Sequence, residues 1–283
     1  MRLRRVLLFM PGDDRRKIEK GVAARPDSII MDLEDGVALN RKAEARAVIA
    51  QAVAELDFGP VEKVIRLNPV GSGLETDDLA AALPSGPDAL MIPKVESAEQ
   101  VEWVHRQTDR PLLLMIETAK GLINLKDIAA TAGVAALCFG ADDYTASIGG
   151  LRMHERDALN LLFARSTIAA HAAAFDLQAI DTPFVNLADE EALRAETRII
   201  LELGYAGKLA IHPRQIAPII ETFRPSPEEI DRAQRLVAAH DEHQAKGTGA
   251  FAFEGRMVDM PVIRAAYNIL ARAGSRPREQ KTL

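Results

Sequence analysis

The sequence predicts an α/β protein, a (β/α)8 TIM barrel followed by a C-terminal helical extension, and three observations carry that prediction. Short apolar runs recur through the first two thirds of the chain, each followed by a stretch with helical periodicity. The runs are continuously apolar rather than alternating, as expected of strands covered on both faces. Polar clusters follow nearly every run, whereas a doubly wound open sheet would concentrate them at one crevice. The chain has 283 residues, enough for a barrel of about 250.

In order along the chain, strands are expected at 6–10, 28–33, 63–67, 89–92, 112–116, 134–139, 178–180 and 208–211. Helices at 41–55, 98–107, 155–174 and 190–203 carry apolar residues at three- and four-residue intervals and form the outer ring. The barrel domain is read as 1–223 and the extension as 224–283. The extension opens with Pro225-Ser226-Pro227-Glu228-Glu229, where Ser226 is the N-cap and Pro227 takes the first helical position. That helix runs to about Lys246, and Gly247-Thr248-Gly249 then leads to a final helix at 262–273. The last ten or so residues are expected to be disordered.

Hydrophobic residues make up 48% of the chain and charged residues 27%, which permits a large core under a solvated surface. The net charge of −6 leaves no basic surplus for a nucleic-acid backbone, so neither nucleic acid nor an anionic membrane is an expected partner. The apolar run at 6–10 is too short for a signal core, and no membrane segment is read. The one cysteine, Cys138, lies in an apolar run, reads as a packed core thiol and fits a reducing cytoplasm.

In a barrel of this kind chemistry sits at the C-terminal ends of the strands, and here those ends are acidic. The second strand closes on Met31-Asp32-Leu33-Glu34-Asp35-Gly36, the fifth on Ile116-Glu117-Thr118, and the sixth is followed by Gly140-Ala141-Asp142-Asp143-Tyr144. Carboxylates held together raise one another's pKa unless a cation holds them, and oxygen-only ligation suggests a hard ion such as magnesium. Asp142 is read as a helix cap, and Glu117, a poor capping residue at the end of an apolar strand, as a ligand. Arg66 either grips a substrate carboxylate or forms a salt bridge to Glu34 or Asp35. Lys94 meets a phosphate or pairs with Glu96, a choice the sequence leaves open, and His212 is not assigned.

Eight segments in order give the chain a resemblance to the citrate lyase β-subunit family of CoA-thioester lyases. They are Leu8-Phe9-Met10-Pro11-Gly12, Met31-Asp32-Leu33-Glu34-Asp35-Gly36-Val37, Ile65-Arg66-Leu67-Asn68-Pro69, Ile92-Pro93-Lys94-Val95-Glu96, Ile116-Glu117-Thr118-Ala119, Gly140-Ala141-Asp142-Asp143, Gly207-Lys208-Leu209-Ala210-Ile211-His212-Pro213 and Gly255-Arg256-Met257-Val258-Asp259-Met260-Pro261. The resemblance implies a Mg2+ ion held by Glu117 and Asp143, with Glu34 and Asp35 reaching it through waters and Arg66 on the keto-acid end of the substrate. It implies that Asp259 acts over the barrel of a neighbouring subunit in a homo-oligomer, a trimer or hexamer. Read on its own, Asp259 caps the last helix.

The activity implied is retro-Claisen cleavage of a 3-hydroxyacyl-CoA thioester, citramalyl-CoA or malyl-CoA, to acetyl-CoA and a 2-oxo acid, with Asp259 as general acid. The alternatives are a citrate lyase β subunit acting on a citryl-acyl-carrier thioester, and malate synthase or thioesterase activity. Tyr144 stands where relatives often have leucine, and a ring there is expected to reshape the pocket.

Overall fold

A computed structural model describes residues 2–151 and 159–273. Eight parallel strands close into a barrel in sequence order: β1 (Val6–Pro11), β2 (Ser28–Asp32), β3 (Glu62–Arg66), β4 (Ala89–Ile92), β5 (Leu112–Ile116), β6 (Val134–Phe139), β7 (Gln178–Asp181) and β8 (Gly207–Ala210). The ring closes where Leu7 of β1 pairs with Leu209 of β8. Each strand lies where an apolar run predicted it, within a residue or so at each end.

The connections carry α1 (Arg15–Ala23), α2 (Lys42–Glu55), α3 (Glu75–Ser85), α4 (Ala98–His105), α5 (Ala119–Ile123), α6 (Leu125–Ala129), α7 (Ala141–Ser147), α8 (Leu159–Ala174), α9 (Glu190–Glu202) and α10 (Ile216–Phe223). The helix expected from residue 41 instead begins with a 3-10 turn, Leu39–Arg41, before α2. Residues 155–158 of the helix expected at 155–174 lie outside the described residues, as do 274–283 of the expected disordered tail.

Inward-facing residues alternate along the strands and fill the barrel: Leu7, Ile30, Val64, Met91, Leu113, Cys138, Ile180 and Leu209 belong to one buried cluster. Cys138 is therefore a core thiol, and burial pushes its pKa up to about 12. The N-terminal end of the barrel is stoppered by polar groups. Arg4 donates to both oxygens of Glu62 at 2.7 and 2.8 Å and to Gln178 at 2.7 Å, and Ser28 donates to Glu62 at 2.6 Å.

Contacts divide the chain into two compact units, Met1–Ile220 and Glu221–Leu283. In the second, α11 (Pro227–Ala245) packs on α12 (Met260–Arg272) around Leu236, Phe251, Val258, Ile263 and Leu270. Ser226 caps α11 as expected, in a reciprocal box with Glu229. The segment before α12 folds as an antiparallel hairpin, β9 (Phe251–Phe253) with β10 (Arg256–Val258). Its turn, Glu254-Gly255, has both residues at positive φ, the backbone that a two-residue hairpin of this hand requires. Among the described residues no helix is long and apolar enough to cross a membrane.

Candidate active site at the C-terminal end of the barrel

Asp32 and Arg66 are register partners at the ends of β2 and β3, so the fold sets them side by side. Asp32 accepts from Arg66 Nε at 2.7 Å and Nη2 at 2.6 Å, and also from the backbone N–H groups of Glu34 and Gly36, each at 2.8 Å. A Cβ at position 36 would overlap the Asp32 carboxylate, so glycine is what lets the loop wrap onto it. The sequence reading singled out Glu34 and Asp35 in this segment. The residue that binds the guanidinium in bidentate fashion is Asp32. It is identified by the parallel pairing of the two strand ends, which no single segment of the sequence contains.

Arg66 also meets Glu34, Nη1 to Oε2 at 2.7 Å, and stacks over the Phe9 ring at 4.7 Å. Burial works against its charge, but the Asp32 hydrogen bonds and the fields of Asp32, Glu34 and Glu117 outweigh it and raise its pKa. Nε and Nη2 each donate a hydrogen bond to Asp32, while Nη1 is paired with Glu34 at ion-pair distance, and the guanidinium lines the cavity described below.

Glu34 is buried, and its Oε1 lies 2.7 Å from Lys94 Nζ. Both of its oxygens touch a cation at ion-pair distance, yet neither contact has hydrogen-bond alignment. Burial raises its pKa against the pull of Arg66 and Lys94. Lys94 reaches Asp35 at 3.2 Å as well. Of the two readings left open for Lys94, the pairing with Glu96 is not made: Lys94 pairs with Glu34 and Asp35, and Glu96 pairs with Lys120 at 3.2 Å. Lys42, almost fully buried on α2, donates to the carbonyls of Leu33 and Glu34 and pins this loop from below.

Glu117 follows β5 and is 2% exposed. Its Oε1 accepts from the Lys94 backbone N–H at 2.7 Å, and Thr118 caps α5 immediately after it. Burial, followed by the nearby charge of Glu34, pushes its pKa up to about 8 despite Arg66, and Asp143 pushes the same way. Asp143 is exposed in the first turn of α7. The N-cap of that helix is Gly140, which corrects the reading of Asp142 as the cap; both aspartates instead lie where a helix N-terminus favours negative charge. Gly140 also makes room for Glu117, because a Cβ there would overlap Glu117 Oε2.

Phe9, Asp32, Arg66, Glu117, Asp143 and Thr182 line one cavity of about 330 Å³. The structure thus brings together Arg66, Glu117 and Asp143. Glu34 and Asp35 do not line that cavity: Glu34 meets it through Arg66, and Asp35 pairs with Lys94, which lies outside the lining as well. Tyr144 does not line it either: the ring is buried edge-on against Phe139 at 5.6 Å, so the expected reshaping of the pocket is not seen. His212 is a capping residue, its Nδ1 accepting from Arg214 N–H at 3.1 Å. Asp259 belongs to the second unit, where it sits at the N-cap of α12, exposed and with no side-chain capping bond.

These residues fit a divalent ion. Among the described residues no three of His, Cys, Asp and Glu form a metal cluster, but magnesium commonly takes one or two carboxylates and keeps several waters. A buried carboxylate that retains its proton to about 8, beside a second one and with space left open by Gly140, is the group a cation would relieve.

A closed (β/α)8 barrel with an arginine and several acids gathered at its C-terminal mouth is the architecture of a barrel enzyme. The chain belongs to the HpcH/HpaI aldolase/citrate lyase family, whose model matches residues 5–213. It is 41% identical to the mitochondrial citramalyl-CoA lyase of Homo sapiens, over 96% of this chain and 86% of that one. It is 34% identical to the citrate lyase subunit beta of Leuconostoc mesenteroides subsp. cremoris, over 97% of this chain and 94% of the relative. Among solved structures it resembles the protein CitE from Mycobacterium tuberculosis in complex with magnesium, acetoacetate and coenzyme A. That match has a TM-score of 0.84 and 35% identity, and covers 96% of this chain and 98% of the other.

Proposed function

We propose that this protein is a magnesium-dependent carbon–carbon lyase that cleaves a 3-hydroxyacyl-CoA thioester of the citramalyl-CoA or malyl-CoA type to acetyl-CoA and a 2-oxo acid. The observation that carries the reading is the buried carboxylate of Glu117, held close to neutral beside Asp143 and Arg66 in one cavity. Glu117 and Asp143 would hold the ion, with Glu34 and Asp35 reaching it through waters. When bound, magnesium supplies positive charge to the substrate's carboxylate and hydroxyl oxygens and lowers the hydroxyl's pKa.

The chain's own residues do the rest. Arg66, fixed by Asp32 and stacked on Phe9, presents its guanidinium to the oxygen that becomes the keto group. The hydroxyl O–H passes its proton to solvent water, its electrons form the new C=O, and the C–C bond breaks to leave a thioester enolate. Asp259 of a neighbouring subunit protonates that enolate to give acetyl-CoA. Its exposed, uncapped side chain supports such a role. In this reading residues 1–223 are the catalytic domain, and 224–283 pack on the neighbour within a trimer or hexamer. A buried, unpaired Cys138 suits a cytoplasmic location.

Incubating the purified protein and magnesium with citramalyl-, malyl- and citryl-CoA tests the assignment. Pyruvate from citramalyl-CoA or glyoxylate from malyl-CoA is expected, and loss of product on chelation. Oxaloacetate from a citryl thioester alone would move the protein to citrate lyase β chemistry. No 2-oxo acid from any of the three would sink the lyase reading.

A further inference from the structure

Lys94 lies just past β4 and is one of the few residues other than glycine with a positive φ, 51°. That backbone is strained for a side chain with a Cβ and persists only where the surroundings hold it. Here it turns one amide out of the barrel ladder. The next residue, Val95, returns to the ladder by donating to Met115 O at 3.2 Å, while the Lys94 N–H donates to Glu117 Oε1 at 2.7 Å. With Oε1 so engaged, Oε2 is left against Gly140, the residue that opens the helix carrying Asp143. The other end of Lys94 holds the β2 loop, with Nζ 2.7 Å from Glu34 and 3.2 Å from Asp35, and Glu34 in turn meets Arg66.

We propose that Lys94 is a positioning residue for the magnesium site: its left-handed amide aims Glu117 toward Asp143, and its ammonium holds Glu34 against Arg66. The inference rests on the proposed function, in that Glu117 and Asp143 are taken as the ligands. Outer partners of this kind orient ligands, and their loss typically weakens metal binding by about 10–100-fold.

The test measures Mn2+ binding to the substrate-free protein by electron paramagnetic resonance, kcat and KM with magnesium, and the melting temperature. Lys94→Met, which keeps the stem and the amide, is expected to lose about tenfold or more in Mn2+ affinity and a similar factor in kcat, with KM for the thioester unchanged. Lys94→Arg restores both. Lys94→Gly matches Lys94→Met in metal affinity but melts higher than Lys94→Ala, because only glycine takes this backbone without strain. A Lys94→Met protein that binds Mn2+ and turns over like the parent overturns the proposal. So does one with intact Mn2+ binding and a raised KM, which would put the ammonium on the substrate, and so does an Arg variant that rescues nothing. Should Lys94→Met fail to fold, the Arg, Gly and Ala variants decide the matter. A parent protein that binds no Mn2+ and cleaves no thioester removes the lyase reading itself, and this proposal with it.

Discussion

At the scale of single residues, Glu117 links stability to function through one proton. Its pKa of about 8 lies above the ordinary carboxylate range, chiefly because it is buried. Between that range and about pH 8 the folded protein holds a proton that the unfolded chain has already released. The stability of the metal-free protein therefore falls as pH rises through this window, and if Glu117 holds magnesium, binding of the ion should strengthen over the same interval. Glu117→Gln removes the penalty, so the metal-free variant should melt a few degrees above its parent at pH 8, at roughly 2–4 °C per kcal/mol for a chain of about this size. At pH 4, below the unfolded carboxylate's range, the two should nearly coincide. Parallel melting curves at both values check this, and a variant less stable than its parent at pH 8 would contradict it. Asp32 is the second residue on which the site turns, because it holds Arg66 and the Glu34 and Gly36 amides together. Asp32→Asn breaks the bidentate grip, and kcat/KM should fall by about 10–100-fold, read in steady-state assays. The sequence showed that acids end β2 but not which of them binds the arginine. That depends on which strands are neighbours and in what register, and no single segment contains it.

Among the elements, β7, β8, α8 and α9 are held by a buried ionic knot. Lys208 Nζ donates to Asp181 at 2.7 Å, to Glu196 at 2.6 Å and to the Thr182 carbonyl at 2.8 Å, and Arg165 grips Asp181 from α8 at 2.8 and 2.9 Å. Thr182 also accepts from Ala141 N–H at 3.1 Å, so the knot reaches the first turn of α7, where Asp143 sits. Lys208→Met strips one cation from a buried group of two cations and two anions. Breaking a buried pair in this way costs about 3–5 kcal/mol, and a urea midpoint no lower than the parent's would show the knot to be dispensable. The strands of this region were legible because parallel, doubly covered strands read as unbroken apolar runs. The short helices α5, α6 and α7 were not, since five to seven residues are too few to display a helical period. The hairpin β9–β10 escaped notice because three-residue strands give almost no alternation, and only the Glu254-Gly255 turn marks it.

At the scale of the whole molecule, the two units raise a question of assembly that a mixing experiment answers. If Asp259 serves the barrel of a neighbour in a closed ring, a working site needs an intact Glu117 from one subunit and an intact Asp259 from the next. Asp259→Asn and Glu117→Gln proteins are each expected to be inactive alone. In oligomers formed at random from equal amounts of the two, a barrel with Glu117 adjoins a subunit with Asp259 at about one site in four, and about a quarter of the parent activity should return. If each site were built within a single chain, no chain in the mixture would carry both residues and nothing would return. Co-expression with two different affinity tags and assay of 2-oxo acid release separate these outcomes, and selecting the mixed oligomer through both tags raises the expected share to about one site in three for a trimeric ring. Activity that stays at the level of two inactive single variants would place Asp259 in its own chain's site, and an Asp259→Asn protein that is active alone would place it outside the chemistry.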